Sequence, residues 1–115
     1  MSKELIPTEF EEQVALVQYL RLKGYKHTAI PNSTYTKSWN QKRKNTASGL
    51  NAGLPDMVVI VEDNLIWIEL KRVKGGRLSE YQKDWIAALE RAGQTVRVCK
   101  GADEAIKFIQ EIERE

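Results

Sequence analysis

Residues 53–71 read GLPDMVVIVEDNLIWIELK, two apolar runs separated by a polar triplet. Met57 to Val61 (MVVIV) is a continuous, mostly β-branched run of the kind found in strands buried on both faces, and Leu65 to Lys71 (LIWIELK) reads as a second strand. Glu62-Asp63-Asn64 supplies the turn between them, so the pair reads as a β-hairpin. Side chains alternate along a strand, which puts Glu69 and Lys71 on one face and Ile66, Ile68 and Leu70 on the other. A strand this apolar is not a freely solvated edge, so the charged pair is expected to end a central strand. Pairing about a centre near residue 63 sets Asp56 opposite roughly residue 70. Asp56, Glu69 and Lys71 then converge at the end of the hairpin remote from its turn.

Working outward from the hairpin, the flanking segments supply the layers that cover a sheet. Upstream, TEFEEQVALVQYLRLKG (Thr8 to Gly24) spaces Phe10, Val14, Val17 and Leu20, with Leu16 alongside, as an amphipathic helix does. Thr8 and Glu11 form a capping box, and Gly24 offers a left-handed stop. Tyr25 to Pro31 (YKHTAIP) reads as a short strand. Asn32 to Gly53 is polar and lacks a clear period, so it is expected to be a long basic loop, of a kind that is often either functional or disordered. Downstream, Ser79 and Gln82 make a second capping box for a helix to about Arg91, with Trp85, Ile86 and Leu89 inward. Thr95 to Cys99 is a last strand, and Gly101-Ala102-Asp103 opens a helix that packs Ala105, Ile106, Phe108, Ile109 and Ile112. The order α-β-β-β-α-β-α describes one α/β domain over residues 1–115, a mixed central sheet flanked by helices.

The chain has 115 residues, enough for one modest core. No apolar run approaches the roughly 20 residues needed to cross a bilayer, and the opening Met1-Ser2-Lys3-Glu4 lacks the apolar stretch of a signal peptide. The expectation is a soluble intracellular domain without a membrane role. Cys99 is the one cysteine and His27 the one histidine, which leaves neither a disulfide framework nor a His/Cys zinc cluster. Cys99, between apolar neighbours, reads as a packed and inert thiol. The net charge of +2 conceals a pattern: residues 36–50 carry +4, residues 51–70 carry −4 and residues 71–77 carry +4. Such segregation points to a polyanion contact beside a gathering of carboxylates, although basic loops are also often merely solvated.

The convergent trio limits the chemistry. Two carboxylates held together repel unless a proton or cation sits between them, and hard oxygen donors suit magnesium or manganese. A lysine beside them can orient a phosphate oxygen or help a water lose its proton, which suits phosphodiester hydrolysis. An isolated E-x-K reads more simply as a surface salt bridge, with Asp56 filling a turn.

Here it is not isolated. Pro55-Asp56, twelve intervening residues and Glu69-Leu70-Lys71 resemble the PD-(D/E)XK nuclease signature. More narrowly, several segments resemble a stand-alone virus-type replication-repair nuclease (VRR-NUC) domain over about residues 8–112: Thr8 to Leu20, Ile30-Pro31-Asn32, Gly53 to Asp56, Ile68 to Lys71, Leu78-Ser79 with Gln82 and Trp85, and GQTVRVCKGADEAIKFI. The resemblance implies a restriction-endonuclease-like αβββαβα core. It makes Asp56 and Glu69 side-chain ligands of Mg2+ or Mn2+, with the backbone carbonyl of Leu70 as a third ligand, and gives Lys71 the catalytic lysine role. Gln82 matches a family glutamine near the site, a role compatible with its place in the capping box. The family's first-helix glutamate falls on Glu9, by its spacing to Gln13, with Glu12 as the alternative. Asn32 matches an asparagine after the first strand, where a turn role explains it nearly as well. The implied reaction is in-line attack of water on a phosphodiester, expelling the 3′ oxygen to leave a 5′ phosphate.

Lys37, Lys42, Arg43 and Lys44 surround Trp39 in the long loop, and Arg72, Lys74 and Arg77 continue directly from the catalytic strand. These are the candidate DNA-binding residues. Trp39 either stacks on a base or packs down to anchor the loop. Nothing resembles a base-reading helix or finger, which favours recognition of shape over sequence. The expected function is a structure-selective endonuclease on branched DNA, foremost a Holliday (four-way) junction resolvase, acting as a homodimer without an organic cofactor. A flap or nicking nuclease working with a phage replication or packaging partner is the alternative among enzymes. A non-catalytic nucleic-acid-binding accessory domain is the alternative outside them. The resemblance further implies a phage or prophage origin and a cytoplasmic site of action.

Overall fold

A computed structural model of the chain describes residues 5–31 and 38–114. Its elements, in order, are α1 (Glu9–Lys23), β1 (His27–Ala29), α2 (Trp39–Ala47), β2 (Met57–Val61), β3 (Asn64–Lys71), α3 (Glu80–Arg91), β4 (Thr95–Lys100) and α4 (Ala102–Glu113). Both expected capping boxes form: Thr8 with Glu11 at the start of α1, and Ser79 with Gln82 at the start of α3. Gly24 ends α1 in the left-handed region, at φ 74°.

The sheet order is β1-β2-β3-β4, antiparallel except for the parallel β3–β4 pair that α3 connects. One sheet face carries Met57, Val59, Val61, Ile66, Ile68 and Leu70, all fully buried. They form one core with Leu16 and Leu20 of α1 and Ala105, Phe108 and Ile109 of α4. Cys99 joins that core, and burial pushes its thiol up to about 12, so it is the inert thiol expected. The opposite face carries Glu69 and Lys71, with α3 alongside.

Glu12 ties α1 to α4. The N-cap of α4 is Gly101, which offers no side chain, and Glu12 Oε1 instead accepts the Ala102 N–H at 3.2 Å. Gly101 is itself required there: its φ is 87°, and a Cβ would lie 2.8 Å from Glu12 Oε2.

The structure corrects several sequence-based expectations. The polar stretch from Asn32 to Gly53 is not a plain loop, because α2 forms within it, capped by the Ser38 side chain. The two-residue turn Glu62-Asp63, both at positive φ, pairs Val61 with Asn64, so the register places position 56 opposite 69 rather than 70. β1 is shorter than expected, at three residues. Phe10 and Val14 of α1 are 75% and 40% exposed, and Ile60 of β2 is 43% exposed. A domain this small has too few layers to cover every apolar stripe. Trp85, Ile86 and Leu89 on α3 are for the same reason only half-buried. Among the described residues no helix is long and apolar enough to cross a membrane.

Candidate active site

The site forms where β2 begins and β3 ends. Asp56 precedes the first residue of β2, and its Oδ2 accepts the Leu70 N–H at 2.7 Å, taking the place of a strand partner. In a strand the N–H and C=O of one residue point to the same side, so the Leu70 carbonyl faces the same edge, beyond the last β2–β3 pair at Met57–Ile68. Glu69, one residue away, is fully buried. The loop leading to Asp56 is held close to α3 at Gly53: φ there is 110°, and a Cβ would come within 2.5 Å of the Tyr81 carbonyl oxygen. Only glycine fits that approach. Its signal in the sequence is a glycine three residues before Asp56, which the pattern reading left without a role.

α1 brings in the third carboxylate. Oxygens of Glu9, Asp56 and Glu69 all lie within 4.8 Å of one another. Glu69 is pushed from the ordinary 4.5 up to about 8, first by burial and then by the hydrogen bond and charge of Asp56, against the opposing pull of Lys71. Burial also raises Glu9, followed by the Asp56 charge. Glu12, the alternative from sequence, is turned instead toward the start of α4. Of the two glutamates the structure thus brings Glu9 to the cluster.

Lys71 and Gln82 complete the arrangement. Lys71 Nζ lies 3.6 Å from Glu69 Oε2 and donates to Gln82 Oε1 at 3.1 Å. Gln82 Nε2 donates to Glu69 Oε2 at 3.3 Å, while its Oε1 also accepts the Ser79 N–H at 2.8 Å. Gln82 thus takes part in the helix cap and also bonds both Lys71 and Glu69. One atom stays unsatisfied: Glu69 Oε1 is buried and receives no hydrogen bond. A buried, unpartnered carboxylate oxygen is costly, and here it lies within a cluster of hard oxygen donors of the kind Mg2+ or Mn2+ takes. The donor set therefore fits such an ion.

The basic residues fall in two groups. Arg72, Lys74 and Arg77 follow β3 and are exposed. Arg72 is partly committed to structure, since its guanidinium donates to the carbonyls of Pro7 and Ile6 at 3.3 and 3.4 Å. Trp39, Lys42, Arg43 and Lys44 lie on α2, and Trp39 does not pack down, being 76% exposed. Lys37 and Asn32 lie outside the described residues.

A central strand ending in Glu-Leu-Lys, an aspartate at the mouth of its neighbour and an αβββαβα frame define a restriction-endonuclease-like nuclease domain. The sequence pattern of the VRR-NUC domain matches residues 4–103, and the chain belongs to that family. Two solved structures share the fold. A VRR-NUC domain protein superposes with a TM-score of 0.76 at 23% identity, covering 92% of this chain and 88% of its own. A second structure, titled VRR-NUC domain, gives a TM-score of 0.66 at 17% identity and covers 90% and 97%. No curated protein matches the chain.

Proposed function

We propose that the protein is a Mg2+- or Mn2+-dependent endonuclease that cuts branched DNA, four-way junctions foremost, as a homodimer. The observation that carries this reading is the buried Glu69 oxygen left unpaired among the carboxylates of Glu9 and Asp56, with Lys71 fixed alongside. In this reading Asp56, Glu69 and the Leu70 carbonyl hold the ion, whose chemistry is to neutralise a phosphate oxygen and acidify an attacking water. Glu9 adds negative charge at the edge of the cluster and serves to orient that water. Lys71, held by Gln82 and Glu69, presents an ammonium of fixed position to the attacked phosphate and the incoming water. Gln82 is a positioning residue, since it bonds both Lys71 and Glu69. Arg72, Lys74 and Arg77 grip the phosphate backbone leading away from the cut.

Two features support the homodimer. Phe10, adjacent to Glu9, and Val73, just past β3, are 75% and 47% exposed, so apolar surface borders the site. A two-fold pair would present two sites to the two strands cut at a junction. A DNA substrate also agrees with an intracellular site of action.

Cleavage of fluorescent four-way junction, flap, duplex and single-stranded DNA by the wild type and Lys71→Ala, in magnesium and in EDTA, tests the proposal. The wild type is expected to cut the junction in magnesium only, and Lys71→Ala to lose at least about a hundredfold in rate while still binding. Cutting that persists in EDTA, or in Lys71→Ala, rejects it. DNA binding without any cut leaves the accessory-domain reading in its place. Sedimentation that shows a strict monomer removes the homodimer.

A further inference from the structure

The helix α2 is the element that the architecture does not explain. It has nine residues, WNQKRKNTA, none of them buried, and among the described residues it has no substantial packing against any other element. Helices this short are marginal in water unless something covers a face. Trp39, Lys42, Arg43, Thr46 and Ala47 follow the i, i+3, i+4, i+7, i+8 spacing, which gathers them on one side. That stripe normally faces a core, but here it carries an exposed indole and two cations. Lys42 Nζ sits 5.0 Å from the centre of the Trp39 ring, and the residue is 76% exposed.

Charge selects the class of partner. From Gln13 to Pro55 the sequence has no acidic side chain, and α2 itself carries Lys42, Arg43 and Lys44. An anionic partner is required, and one with flat π-faces suits the indole. We infer that α2 is the branch-sensing arm of the enzyme, with Trp39 stacking on a base face exposed at the branch point of the DNA and Lys42 and Arg43 holding the adjoining phosphates. This rests on the nuclease reading for its substrate, but not on any step of hydrolysis. Stacking needs an exposed base face, so Trp39 discriminates branched from continuous DNA, whereas Lys42 and Arg43 grip both alike.

Binding of the full chain to a fluorescent four-way junction and to a continuous duplex of equal length, in EDTA, reads this directly. Trp39→Ala is expected to weaken junction binding about tenfold and duplex binding less than about twofold, with Trp39→Phe close to the wild type. Lys42→Gln with Arg43→Gln is expected to weaken both substrates alike and to flatten the logarithmic salt dependence by about one unit per lost phosphate contact. Because α2 supports no core, these variants are expected to melt with the wild type. Equal affinities for Trp39→Ala and wild type, equal losses on both substrates, or no wild-type preference for the junction would overturn the inference; unchanged DNA binding would leave α2 to a protein partner. Cleavage in magnesium separates the two readings. If no DNA is cut but the binding pattern holds, hydrolysis fails and the arm stands; if junctions are cut equally by Trp39→Ala, the arm alone fails.

Discussion

Glu69 shows how much of a site can be read from single residues. The E-x-K spacing placed Glu69 and Lys71 on one strand face, and the structure puts them there together with Gln82. Alternation follows from backbone geometry alone, which is why that reading held. Sequence could not show that Glu69 would be fully buried with one oxygen unpaired, since burial depends on Glu9, Asp56 and α3 arriving from distant parts of the chain. Burial has a consequence for stability. The folded carboxyl sits at about 8 against an ordinary 4.5, so in metal-free protein the folded state binds the proton more tightly than the unfolded one. The stabilisation from that proton is whole below about 4.5 and is lost as the pH climbs through about 8. Melting in EDTA across this range is expected to show a falling Tm for the wild type and a nearly flat one for Glu69→Gln. A wild-type Tm that rises over the same interval would contradict the assignment.

Elements were legible where an apolar pattern was bounded by a cap, a glycine or a turn. α1, α3, α4 and both strands of the hairpin carry such signals, and they form within a residue or two of expectation. α2 carries no apolar period, so only the Ser38 cap and the structure disclose it. The hairpin turn was located but not typed: Glu62 and Asp63 both adopt positive φ, at 48° and 72°, and neither residue advertises that conformation as Asn-Gly would. Glu9 and Glu12 were not separable either, because one helix turn carries both to neighbouring faces. The structure gives them different work, Glu9 beside Asp56 and Glu69, and Glu12 at the start of α4. Glu12→Ala is therefore expected to cost about 1 kcal/mol of folding stability by urea melting, the size of a lost helix cap, while cleavage per folded molecule stays within about twofold. A collapse of cleavage with unchanged stability would exchange the roles of the two glutamates.

At the scale of the whole molecule, the segregation of charge becomes a division of labour. The acidic stretch 51–70 supplies Asp56 and Glu69 at one end of the central hairpin, and the basic stretches on either side supply α2 and the residues after β3. A net charge of +2 thus conceals an acidic stretch, which contributes Asp56 and Glu69 to the carboxylate cluster, flanked in sequence by two basic stretches. One face of the sheet is closed by α1 and α4, while α3 lies on the other, where Glu69 is buried and Asp56 and Glu9 are partly buried. These features converge on the proposal that the carboxylates of Glu9, Asp56 and Glu69 hold a divalent ion. Calorimetric titration of Mn2+ into wild type and Glu69→Gln at a pH of about 8 tests it most directly. Saturable binding is expected for the wild type, weakened by about tenfold or more in a variant that still folds. Equal Mn2+ affinity in the two proteins would contradict it.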